Sequence, residues 1–208
     1  MSSSTSSANQ NILLTPSSNL IKSGQILNPD KLPRPIIFLS GTTNYNKDET
    51  RWQQTLADAL FTPLSTTSTS TSNNTNHSNP ITIIDPFNPA WDSTWREATS
   101  DEKFVTQVDF ELQALELADI VVVGLIGEDV QAGKIGAGGT ALVELGVAMK
   151  RGEKKGIKVL VCVEGGFWKE AYVAVLCERF GVERFGDLMA LVRGLQWEVD
   201  CWGMDGSD

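Results

Sequence analysis

Apolar residues along this chain come in short unbroken blocks, separated by longer stretches in which they recur at helical spacing. Ile36 to Ser40, Ile81 to Ile84, the run IVVVGLI after Asp119, and Lys158 to Val163 read as strands buried on both faces. Between them, Arg51 to Leu60 puts Trp52, Leu56 and Leu60 on one helical face, and Phe104 to Ala118 is expected to turn Phe104, Val108, Leu112 and Leu115 inward. Further helices are predicted over Ala141 to Arg151, Trp168 to Phe180 and about Phe185 to Leu195. Helices alternating with wholly apolar strands predict a doubly wound α/β fold, flavodoxin- or Rossmann-like, with a parallel sheet of four to five strands and helices on both faces. Right-handed crossovers in such a fold bring ligands to the carboxyl ends of the strands. The turns Ser40-Gly41-Thr42, Asp85 to Asp92, Gly124 to Gly139 and Glu164-Gly165-Gly166 all lie at such ends and are expected to converge on one cleft.

The polar stretches set the boundaries. Residues 1–33, rich in Ser, Asn and Pro, read as a mobile or loosely docked extension. A single domain is expected over 34–195, interrupted at 61–79 by a Ser/Thr/Asn insertion too polar to pack, and followed by an acidic tail over 196–208.

Charge and composition then narrow the chemistry. The formal charge of −9, without a Lys/Arg run, opposes binding to nucleic-acid polymers and anionic membranes. The N-terminus lacks the features of a signal peptide, and no apolar run approaches the ~18–20 residues of a membrane span. Cys162, Cys177 and Cys201 are odd in number and far apart, which fits a reducing cytoplasmic compartment, and Cys162 reads as a small core residue. The sequons at Asn73 and Asn76 are read as chance matches in a Ser/Thr/Asn tract. His77, the one histidine, sits in that same tract, which argues against His-based nucleophile systems and His-rich metal sites. If the protein is an enzyme, its proton and nucleophile chemistry must then come from carboxylates, and no metal or cofactor is expected.

The stretch IGAGGTALVELG, residues 135–146, tests that conclusion. Gly136, Gly138 and Ala141 fit the form of a dinucleotide-binding turn. Such a turn follows its strand directly and is answered by an acid roughly 20 residues on; here the strand ends near Ile126 and the next one reaches Glu164. The other reading centres on Glu144, an acid set among Leu142, Val143, Leu145 and Val147 just inside a helix, where backbone N–H groups are expected to keep it ionised. Gly138 and Gly139 would let a ligand approach closely. Gln107 and Glu111, at i and i+4, share a face beside an apolar stripe, and Trp91 and Asp92 offer an aromatic wall and another acid. Two carboxylates and a wall suit cleavage of an N-glycosidic bond. Taken singly, Glu111 reads equally well as a solvated helix residue, Asp119 as a structural cap, and Trp91 and Asp92 as loop and cover.

Four segments, PIIFLSGTTN, DPFNPAWD, QVDFELQALELADIVVV and GGTALVELGVAM, together resemble the nucleoside 2-deoxyribosyltransferases and their relatives, over about Pro35 to Glu164. The resemblance implies that Glu144 is the nucleophile, forming a deoxyribosyl-enzyme intermediate, and that Glu111 helps position sugar or base. It places Asn88, Trp91 and Asp92 on the base side and Ser40 and Gly41 on the first-strand ligand loop, and implies a small nucleoside or nucleotide as ligand and assembly into homo-oligomers. Two departures stand out: the base-contacting aspartate of the transferases is replaced by the loop Gly136, Ala137, Gly138, and an early tyrosine by Phe38. Transferase, nucleotide N-glycoside hydrolase and catalytically silent nucleotide-binding module all remain open at this point.

Overall fold

A computed structural model describes residues 10–43, 50–62, 79–91 and 94–203. Strands β1 (Ile12–Leu14), β4 (Ile36–Gly41), β5 (Thr82–Ile84), β6 (Ile120–Leu125), β7 (Lys158–Val163) and β8 (Glu183–Phe185) form one six-stranded sheet in the order β1-β5-β4-β6-β7-β8, parallel throughout. A separate hairpin pairs β2 (Ile21–Lys22) with β3 (Gln25–Ile26). The helices are α1 (Trp52–Phe61), α2 (Glu102–Leu117), the short α3 (Glu128–Gln131), α4 (Gly139–Lys155), α5 (Glu170–Phe180) and α6 (Leu188–Cys201). The doubly wound α/β fold is therefore present, with six strands in the sheet where the sequence pattern predicts four to five.

Alternation along the central strands divides the core. Ile36, Phe38, Val121 and Val123 pack beneath α2, α4 and α5, while Ile37, Leu39, Ile120 and Val122 pack against α1 and α6. Ser40 continues the Ile36–Phe38 parity, so its hydroxyl points to the side covered by α4. Asp119 accepts from the Ile36 amide at 2.8 Å and pairs with Arg34, which locks the entry of β6 to that of β4. This is the capping role expected of it.

Two boundaries differ from the expectation, and a third falls mostly outside the described residues. The stretch before residue 34 is not a loose extension where it is described: Leu14 is fully buried in the edge strand β1, and Ile26 and Leu32 enter the core. Its apolar residues are too few and scattered among Ser and Asn to show as a periodic block. The C-terminal segment is helical to Cys201, with Val199 buried and Glu198 paired to Lys158, so the part of the expected tail that is described belongs to the domain. Most of the expected 61–79 insertion lies outside the described residues, although Phe61 closes α1.

The inward face of α2 also differs. Gln107, Phe110, Ala114 and Leu115 are buried, whereas Leu112 is 50% exposed. The helix is capped by Asp101, whose carboxylate accepts from the Lys103 and Phe104 amides; the buried polar Gln107 stands where an apolar residue would have marked its inward face.

Candidate functional site

A cavity of about 550 Å³ opens at the carboxyl edge of β4, β5 and β6. Its rim comes from the turn after β4, the Pro86–Asn88 segment after β5, the glycine loop before α4, and the facing sides of α2 and α4. Of the four turns expected to converge, three do so. The fourth is a brace: Glu164 accepts from the Gly127 amide at 2.9 Å and the Gln131 side chain at 3.0 Å.

Both candidate carboxylates sit in helical stripes that face the sheet. Glu144 shares the stripe of Ala141, Leu145 and Ala148 on α4, and Glu111 that of Gln107, Ala114 and Leu115 on α2. Each reaches the cavity because its stripe extends past the strand ends. The buried Ser40 hydroxyl donates to Glu144 Oε2 at 2.5 Å. Burial pushes the Glu144 carboxyl up to about 7, with the Ser40 bond opposing and the charge of Glu111 adding to the shift. Burial also raises Glu111, against a hydrogen bond from Gln107. The helix start does not keep Glu144 ionised as the sequence reading expected. Glu144 lies beyond the first turn of α4, out of reach of the free N–H groups, and Val143 beside it is 69% exposed rather than part of an apolar pocket.

Gln107 is committed on all sides. Its Nε2 donates to Pro86 O at 2.7 Å and to Glu111 Oε1 at 2.8 Å, and its Oε1 accepts from Asn88 Nδ2 at 3.0 Å. Gln107 and Asn88 thus act first as a frame that holds Glu111 and the β5 turn together. Trp91 lines the cavity and packs on Trp95 (ring centroids 4.8 Å apart) and Phe104 (6.3 Å). Asp92 lies outside the described residues. Phe104 and Val108, expected in the core, line the cavity instead.

The glycines have distinct duties. Gly41 has φ +149°, and a Cβ there would lie 2.1 Å from Gly124 O on the paired strand. Gly138 caps α4 in the left-handed region (φ +68°), and a Cβ there would meet the Leu125 side chain at 2.8 Å. Gly139 has open space where its side chain would be, on the cavity wall. The loop before α4 is held by Trp168, which donates to Ala137 O at 2.9 Å.

Sequence reasoning passed over several residues. Thr42 donates to Ile126 O at 2.5 Å and accepts from Ile126 N at 3.0 Å, while its own carbonyl takes the Trp52 indole N–H at 2.8 Å, which makes a rigid floor. Arg51 pairs with the buried Asp85 (2.8 and 3.2 Å) and stacks over Phe87 at 3.9 Å, fixing an aromatic wall. Arg51 and Asp85 lie 34 residues apart, one at the start of a periodic helical stretch and one in a strand-end turn, and nothing in either pattern marks them as partners. Glu97 lines the mouth. Among the described residues no group of three or more His, Cys, Asp or Glu could hold a metal ion. Cys162 is buried in β7, and that burial pushes its thiol up to about 12.

Fold and site together define a doubly wound α/β protein whose strand-end cleft is organised around two interacting glutamates. A model of the family described as nucleoside 2-deoxyribosyltransferase like matches residues 34–167, and the chain belongs to that family. A search of curated proteins finds no match. No helix among the described residues is long and apolar enough to cross a membrane.

Proposed function

We propose that the protein cleaves the N-glycosidic bond of a nucleoside, with Glu144 as nucleophile and Glu111 as its acid–base partner. The observation that carries this reading is the Glu144 carboxylate, oriented by the buried Ser40 hydroxyl and interacting with Glu111, in an aromatic-walled cleft. Two interacting carboxylates do not ionise together easily, so the pair retains a proton toward neutral pH. In the reactive form the proton is on Glu111 and the charge on Glu144. Glu144 attacks C1′ of the sugar as the bond to the base breaks, and Glu111 gives its proton to the leaving base. A second base or a water then attacks C1′, Glu111 recovers a proton, and Glu144 is released. Capture by a base makes the enzyme a transferase, and capture by water a hydrolase.

An unphosphorylated substrate is favoured over a nucleotide. Glu97, Glu111 and Glu144 line the cavity, and no lysine or arginine does so among the described residues, so a phosphate would meet repulsion without a counter-charge. Three free cysteines suit work in the cytoplasm.

Incubation with a deoxynucleoside and a second free base tests the reading. Base exchange supports transfer, free sugar without exchange supports hydrolysis, and Glu144→Ala should abolish either. Nucleotide-induced thermal stabilisation with no turnover would support a silent binding module instead.

A further inference from the structure

We infer that the base recognised here carries a positive charge at its glycosidic nitrogen, as in an N-ribosylpyridinium, and leaves as a neutral heterocycle. This narrows the substrate of the glycosidic reading above and rests on it.

The lining carries the argument. Glu97, Glu111 and Glu144 face the cavity, with no lysine or arginine beside them among the described residues. The rings of Phe87, Trp91 and Phe104 complete the wall, and aromatic faces attract cations, more strongly where water is displaced. Arg51, behind Phe87, has its charge matched by the buried Asp85, so it does not offset the acidic lining. The glycine loop contributes Gly136, Gly138 and Gly139 to the cavity, and none of these has a side chain to protonate a base, so a neutral base would depend on Glu111 for its proton. A neutral base needs a proton as it departs. A cationic base does not.

The step balances without an added reagent. A Glu144 oxygen bonds to C1′ as the C1′–N bond breaks, and the bonding pair returns to the ring nitrogen and cancels its charge. Water then bonds to C1′ and displaces Glu144, and its proton passes to Glu111 and on to solvent. Cationic nucleoside and water thus give neutral base, free sugar and one proton. All three carboxylates can stay ionised while substrate is bound, because the ligand's charge relieves their mutual repulsion.

Nicotinamide riboside and its dihydro form make the test, since they share the sugar and nearly the same ring shape but differ in charge. Binding is measured on Glu144→Gln, which retains Glu97 and Glu111 and lacks the nucleophile. The cation should bind at least about tenfold more tightly at low salt, with a smaller gap when salt is added or when Glu97→Gln is combined. The wild-type protein should release nicotinamide from the cation and leave the dihydro form intact. Equal or tighter binding of the dihydro form, or equal kcat/KM for the two, overturns the inference. Preferred binding of the cation with no cleavage of any nucleoside would count against the glycosidic reading itself.

Discussion

At the scale of single residues, the proposed chemistry rests on the ionisation of Glu144, which burial raises most, Ser40 lowers and Glu111 raises further. With a cationic nucleoside, whose base leaves without a proton, only the nucleophile must be charged, so kcat/KM should rise with pH along an acid limb near 7, the value to which Glu144 is raised. Ser40 holds that value down and Glu111 pushes it up. Ser40→Ala should therefore move the limb to higher pH and lower kcat/KM by roughly 10- to 100-fold, the loss of a hydrogen bond to a charged group. Glu111→Gln should move the limb to lower pH. A limb that stays in place in both variants would show that another group controls the rate. Stability has its own sign: the folded Glu144 carboxyl holds its proton more tightly than the ordinary 4.5, so its contribution falls as pH rises from about 4.5 to about 7. Glu144→Gln should accordingly stabilise the fold at pH 8 by roughly 1–3 kcal/mol and show no gain below about pH 4.5, as read by denaturant titration at both pH values. The sequence could mark Glu144 as an acid among apolar neighbours. It could not show that desolvation, rather than the helix start, sets its charge, because that depends on what lies across the cavity.

Elements were legible where their apolar residues are dense. The four strand blocks and the helices between them appear nearly where the pattern puts them, because a strand buried on both faces leaves an unbroken run. Strand β1 and the β2–β3 hairpin escaped notice, since Leu14 and Ile26 owe their burial to partners far along the chain. The face of α2 was misjudged for a different reason. The buried polar Gln107 sits where an apolar residue would have marked the phase, and Leu112 faces outward. The glycine assignments give a test at this scale. Gly41→Ala would force a Cβ against the β6 backbone and should cost about 2–4 kcal/mol. Gly139→Ala meets open space and should change stability by less than about 1 kcal/mol. Comparable losses in thermal unfolding for both variants would contradict the distinction.

Across the whole molecule, the family match begins at residue 34, but the sheet does not end there. Leu14, Ile26 and Leu32 contribute buried side chains from before that point. A chain begun at residue 34 should lose roughly 5 kcal/mol or more and melt at least about 10 °C lower than the full chain. An unchanged melting temperature would show that the preceding segment is dispensable. The candidate site was legible in outline for a related reason: Ser40, Gly41, Asn88 and Trp91 lie at or just after strand ends, and Glu111 and Glu144 lie on the helices that flank those ends, which a parallel sheet must bring together. Arg51, Asp85 and Thr42, which make the walls and floor rigid, act through contacts that no local spacing records. The central claim is that Glu144 bonds to the sugar, and mass spectrometry of the protein after exposure to a 2-fluoro-deoxynucleoside tests it most directly. The expected result is a fluorodeoxyribosyl adduct on the peptide containing Glu144, absent from Glu144→Ala; turnover with that peptide unmodified, or an adduct on another residue, would contradict it.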